Sequence, residues 1–197
     1  MARAPRISKK FIERKIIHIY TEGETEKFYF SILKSSSNFR KKASIKIKCI
    51  SKRKQGKALI EEVQNSLRKL PKYDKPDKVY IIFDKDDLSN IEVVECISKQ
   101  NSGLVIGYSN PSFEVWLISH YENIFRGRSI TQKDLERKLS SALGEPYRKA
   151  DVNQITSILN NIEQAHINVQ NISSLSTYNC SVNPYTNISL LINDMLE

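Results

Sequence analysis

Five acidic residues fall where a short apolar run has just ended or soon after. Glu22 follows KIIHIYT, Asp84 follows KVYIIF, Asp86 and Asp87 come next, and Glu114 lies five residues beyond GLVIGYS. Carboxylates gathered in one place repel one another, and the cost is relieved when a cation neutralises them. Hard oxygen donors of this kind suit Mg²⁺, or Mn²⁺ in its place. Glu22, Asp84 and Asp86 are the expected ligands, with Asp87 an alternative to Asp86. An Asp-x-Asp pair points both carboxylates the same way if the backbone stays extended. Gly23 leaves the chain free to turn tightly after Glu22. Glu24 and Glu26 read instead as acids that complement a helix dipole, and Asp87 also suits a helix N-cap.

Those residues matter only if the fold brings them to one edge. Apolar runs predict strands over 15–21, 44–51, 78–83 and 103–109. Helical periodicity predicts helices over 24–37, 56–70, 90–100 and 111–121, the last with Asn110 as N-cap and Pro111 at its first position. Strand and helix alternating four times imply an α/β fold, a parallel sheet with helices on both faces. Ligands in such sheets bind beyond the carboxyl ends of the strands, where these acids stand. After Phe125 the reading is helical only, over 133–143, 152–167 and 188–196, with Asn183-Pro184 as a helix start. The expected organisation is a basic arm over 1–13, an α/β core over 14–125 and a helical segment over 126–197 packed on it.

The 197 residues carry 31 Lys and Arg against 22 Asp and Glu, a formal net charge of +9. That excess fits a polyanionic partner such as nucleic acid, although lysines simply solvated at the surface would give the same balance. No apolar run is long enough to span a membrane, and no signal peptide is read at the N-terminus. Three widely spaced cysteines, Cys49, Cys96 and Cys180, argue against a disulfide framework or a zinc site, so a cytoplasmic location is expected. The loop KCISKRKQGK brings Lys48, Lys52, Arg53, Lys54 and Lys57 to the end of strand two. A phosphate backbone bound there would gain from the helix N-terminus near Gly56. Asn110 and His120 are further residues that could line the site, with capping and a structural role as their plainer readings. A homo-oligomer is compatible with the sequence.

EGETEKFYF followed by a strand ending FDKDD resembles the Toprim catalytic domain. With SNPSFEVWLISHY and VNPYTNISLLI added, the chain resembles the RloB-like family from about residue 14 onward. The resemblance implies a Toprim-like, Rossmann-like sheet and a metal-dependent nuclease related to the overcoming-lysogenization-defect nucleases. RloB-like genes typically sit beside a gene for an ABC-class ATPase, in pairs linked to phage defence and abortive infection. By motif, Glu22 corresponds to the Toprim glutamate and Asp84 and Asp86 to its Asp-x-Asp. Glu114 lies in the Asn-Pro-Ser-Phe-Glu segment.

The residues themselves support that chemistry. Phosphodiester hydrolysis needs an activated nucleophile, a stabilised pentacovalent charge and a leaving oxygen held in line, and metals on carboxylates provide all three. Glu22 would act as ligand or general base. None of the nine tyrosines is marked as a nucleophile. Two other readings compete. An Asp-x-Asp after an apolar strand also opens the haloacid dehalogenase motif, a phosphotransferase reading that leaves Glu22 unexplained. A non-catalytic subunit binding nucleic acid or an ATPase would suit the basic charge.

Overall fold

The computed structural model describes residues 15–36, 45–51, 53–125, 128–170 and 180–196. The expected basic arm lies outside them. Four parallel strands form an open sheet: β1 (Lys15–Thr21), β2 (Ile45–Ser51), β3 (Lys78–Asp84) and β4 (Leu104–Asn110), in the order β2-β1-β3-β4. Each run is rich in β-branched or aromatic residues, which fit a pleated, buried surface. Residues Val79 to Asp84 of β3 are all buried, as a central strand covered on both faces requires.

Helices α1 (Glu24–Leu33), α2 (Gly56–Arg68), α3 (Asn90–Ile97) and α4 (Glu114–Ser119) follow the four strands in turn. The alternation of side chains along the strands divides the interior into two cores. Ile17, Ile19, Tyr80 and Ile82 pack with Tyr29 and Phe30 of α1 and Trp116 of α4. Tyr20, Val79, Ile81 and Phe83 pack on the opposite face with Leu59 and Val63 of α2 and Val93 of α3. Burying each such side chain contributes roughly 1.5–3 kcal/mol before entropy is counted.

The later chain holds α5 (Gln132–Leu143), α6 (Val152–Leu159), α7 (Ile162–Asn168) and α8 (Ile188–Leu196). It also holds a strand the periodicity missed. β5 (Tyr185–Thr186) pairs antiparallel with the end of β4, Ser109 opposite Thr186 and Asn110 opposite Tyr185. Two residues are too few to show a period of two. Asn183-Pro184 leads into this strand and not into a helix. α8 then lies against β4, and Gly107 makes that approach feasible: a Cβ there would stand 2.6 Å from Leu191 Cδ2 and 2.9 Å from Ile82 Cγ1.

Several element ends differ from expectation. The expected helix over 152–167 is two helices, α6 and α7, separated at Asn160 and Asn161, where the Asn161 side chain gives no cap bond. Asn110 is the last residue of β4, and α4 starts only at Glu114, after a cis Asn110–Pro111 bond. The N-cap of α3 is Ser89, not Asp87. Ser89 Oγ accepts from the Glu92 N–H, and the Glu92 carboxylate accepts in return from the Ser89 N–H, a reciprocal capping box.

Candidate functional site

The carboxyl ends of β1, β3 and β4 converge on one edge of the sheet. β1 and β3 are neighbours in register, Thr21 opposite Ile82. Glu22 therefore emerges beside the end of β3: its N–H donates to the Ile82 carbonyl at 3.1 Å, and its Oε2 accepts from the Asp84 N–H at 3.4 Å. Asp84, the last residue of β3, is buried at 8% exposure. The Phe113 N–H steadies its charge, and so does the Lys149 ammonium nearby. Burial first, then the charges of Glu26, Glu114 and Glu22, push its carboxyl well above the ordinary range.

Glu26 belongs to this cluster, which corrects the reading of it as a helix-dipole residue. It sits in the first turn of α1, but it is only 4% exposed and turns inward. Burial, with Glu114 and Glu22 nearby, raises its carboxyl to about 7. Gly23 makes room for it. A Cβ at Gly23 would stand 2.6 Å from Glu26 Oε2, whereas the backbone there is extended (φ −105°) and open to any residue. The glycine serves space and not a turn.

Glu114, 3% exposed, directly follows the N-cap Phe113 as the first residue of α4. It accepts from Ser112 Oγ at 2.7 Å and from the Tyr147 hydroxyl at 3.1 Å. Lys149 Nζ lies 3.8 Å from Glu114 Oε1 and 4.0 Å from Glu136. Burial works against the Lys149 charge, yet the surrounding carboxylates of Glu114, Glu136, Asp86 and Asp84 outweigh it and raise the ammonium's pKa.

Asp86 and Asp87 are exposed beyond β3. The extended Asp-x-Asp geometry is not adopted. Asp86 has φ +36°, its N–H donates to the Pro111 carbonyl, and the chain turns, with the Leu88 N–H on the Lys85 carbonyl at 2.7 Å. Gln55, the residue before α2, donates from Nε2 to Asp86 Oδ2 at 3.2 Å and also steadies Glu22. Although the residue as a whole is exposed, partial desolvation of its carboxyl, opposed by Lys149, raises the Asp86 pKa. Burial also lifts Glu22, to about 7, with Asp86 adding to it against the Asp84 N–H.

The basic loop reaches this edge in part. The Arg53 N–H donates to the Glu22 carbonyl at 3.0 Å, while its side chain is exposed. Lys57 is exposed, and Lys54 lies 3.5 Å from Glu62. The side chains of Lys48 and Lys52 lie outside the described residues. Asn110 is buried and donates to the Val182 carbonyl at 2.6 Å, tying β4 to the segment before β5. His120 is in the core and not at the cluster. It is 1% exposed, bonded to the Tyr29 hydroxyl at 3.1 Å and to the Trp116 carbonyl, and burial depresses its pKa to about 4.

The sequence marks neither Gln55, Tyr147 nor Lys149 as a site residue, and it gives Glu26 only the helix-dipole role. Glu26 had a local signal, being four residues from Glu22. Lys149 and Tyr147 had none, because only the packing of the 144–151 loop brings them to β3 and α4.

Among the described residues, two buried carboxylate oxygens, Asp84 Oδ1 and Glu26 Oε2, have no hydrogen-bond partner. Buried, unsatisfied acceptors among like charges are costly, and a proton or a bound hard cation would satisfy them. The donor chemistry therefore fits Mg²⁺ or Mn²⁺. Among the described residues, no three His, Cys, Asp or Glu side chains converge on one point, so ligation requires these acids to draw together. A cavity of about 820 Å³ lies elsewhere, between α1 and α6 to α8, lined by apolar side chains such as Leu159 and Ile192 and by polar ones such as Glu163, His166 and Ser189. It contains none of the clustered acids.

The family described as RloB-like protein matches over residues 17–195. The chain belongs to the RloB-like family. No curated protein and no solved structure matches it. The matched span runs from β1 to α8 and so includes every carboxylate of the cluster together with Lys149. Among the described residues no helix is long and apolar enough to cross a membrane.

Proposed function

We propose that the chain is a metal-dependent nuclease, hydrolysing phosphodiester bonds of DNA or RNA, built on a Toprim-like sheet. The observation that carries this reading is the set of acids at the carboxyl edge of the sheet: Glu22, Glu26, Asp84 and Glu114, with two buried oxygens unpartnered among the described residues. Asp84, Glu22 and Asp86 would hold Mg²⁺ or Mn²⁺, with Asp87 within the same turn and Glu114 and Glu26 behind. Bound there, a divalent cation polarises a phosphoryl group and lowers the pKa of water. Where it does not ligate the cation, Glu22, half-buried with its carboxyl raised to about 7 in the metal-free protein, would instead serve as general base. It would take the proton of the attacking water as the new O–P bond forms and the ester P–O bond breaks, and the leaving alkoxide would take a proton from solvent. Lys149 faces the same cluster and would hold a non-bridging phosphate oxygen, offsetting the charge that builds in the transition state.

The phosphotransferase reading leaves three glutamates around Asp84 without a role. By family resemblance, the activity is controlled by an ABC-class ATPase and serves phage defence. This chain contains no Gly-x-x-x-x-Gly-Lys-Ser/Thr phosphate loop, so ATP control would come in trans. The test is cleavage of single- and double-stranded DNA and RNA with Mg²⁺ or Mn²⁺, with and without the ATPase. Wild type should cleave and Asp84→Asn should not. Equal cleavage by both, or metal binding without cleavage of any nucleic acid in the presence of the ATPase, would overturn the reading.

A further inference from the structure

Lys149 and Tyr147 come to the carboxylates on a short irregular segment between α5 and α6. Nothing in residues 146–150 is helix or strand, yet the segment is held at both ends. Gln154, in the first turn of α6, is only 2% exposed and spends its whole amide on it. Gln154 Oε1 accepts from the Arg148 N–H at 2.8 Å, and Nε2 donates to the Pro146 carbonyl at 2.9 Å. The Tyr147 N–H donates to Ser140 Oγ at 2.9 Å. One residue past the lysine, the Ala150 N–H donates to Thr25 Oγ1 of α1 at 3.0 Å, with Ala150 at φ +59°, an uncommon conformation for a residue with a side chain.

A buried amide that spans a loop in this way acts on whatever the loop carries. Here the cargo is the Tyr147 hydroxyl and the Lys149 ammonium, both directed at Glu114. The rest of Lys149 is largely exposed, so its own packing does not set its position.

We infer that Gln154 is a positioning residue of the site: it holds residues 146–150 so that Lys149 and Tyr147 reach Glu114, and the segment after residue 128 thereby completes a site begun on the α/β sheet. This rests on reading the cluster as the working site. Gln154 touches neither the acids nor a substrate position, and it acts through Lys149.

The test uses the full chain with Gln154→Leu, Gln154→Glu and Lys149→Met, alone and combined. Amide exchange reads the loop directly. Gln154→Leu should lose protection at Arg148 and Ala150 while β3 keeps its own. Gln154→Glu retains the acceptor for Arg148 and should keep much of the protection. Mn²⁺ titration reads the link to the lysine. A cation facing the acids opposes a second one, so Lys149→Met should tighten Mn²⁺ binding by about fivefold. Gln154→Leu should shift affinity in the same direction, and should add nothing in the Lys149→Met background. A merely structural role would weaken binding in both backgrounds. Unchanged exchange at Arg148 and Ala150 would overturn the inference, as would Mn²⁺ affinity that stays or falls after the loop has opened. If wild type takes no Mn²⁺, the metal reading fails by itself. The positioning role then stands on whether Gln154→Leu speeds acetylation of Lys149, and an unchanged rate would overturn it.

Discussion

Replacing Glu26 by Gln should stabilise the metal-free protein at neutral and alkaline pH and leave it unchanged in mild acid. Glu26 is buried, and its carboxyl is raised to about 7 by that burial and by its acidic neighbours. In the unfolded chain the same group titrates near its ordinary value of 4.5. The folded protein therefore binds more protons between those two values, and stability falls as pH rises through that window. Below the unfolded value the penalty is absent, and above about 7 it is present in full. A separation of about 2.5 units corresponds to ~3 kcal/mol, of which about 2 should appear between about pH 5 and pH 8 once coupling to Asp84 is allowed for. For a chain of this size, that is roughly 4–8 °C in Tm. Thermal unfolding of wild type and Glu26→Gln, both with chelator at the two pH values, makes the measurement. The variant should gain at the higher pH, lose most of that gain at the lower, and respond less to added Mn²⁺ than wild type. A difference between the two proteins that does not change with pH would refute the burial and crowding argument.

Asp84→Ala should weaken Mn²⁺ binding by at least about tenfold, equal to ~1.4 kcal/mol, while Tm in chelator holds or rises because repulsion is relieved; calorimetry with unchanged affinity would remove Asp84 from the metal set. Nucleic-acid binding should weaken steeply with salt, each neutralised phosphate adding about −0.7 to −0.9 to the slope of log affinity against log salt, and a flat plot would sink the role given to Arg53, Lys54 and Lys57. Co-expressed with an ABC-class ATPase of the kind the family resemblance implies, the chain should co-purify with it and cleave in an ATP-dependent manner, whereas robust cleavage by the chain alone, unchanged by the ATPase, would defeat control in trans.

Much of the sheet was legible because its signal is local. KIIHIYT and KVYIIF are too short and too apolar to be surface helices, and an acid directly after each marks a strand end. The positions of β1 to β4 follow, and their parallel order brings Glu22 beside Asp84. Element ends were less legible. Ser89 competes with Asp87 for the cap of α3, and the chain between β4 and α4 runs irregularly through Pro111 to Phe113 where a helix start was expected. β5 is two residues long and exists only because β4 offers it an edge.

By itself, the sequence determined which residue types stand at the carboxyl edge of the sheet: acids after apolar strands, with a basic loop after β2. Period and burial preference act over a few residues, so they can be read in order along the chain. Only the tertiary structure decided which of those acids share a dielectric environment. Glu26 turned inward because Gly23 leaves space for its carboxylate, while Asp86 turned away from an extended strand at a left-handed residue. Lys149 and Tyr147 reached Glu114 because Gln154 and Thr25 pin a loop more than a hundred residues after Glu22. Charge interactions depend on distance and burial, not on order in the chain, and packing alone sets both.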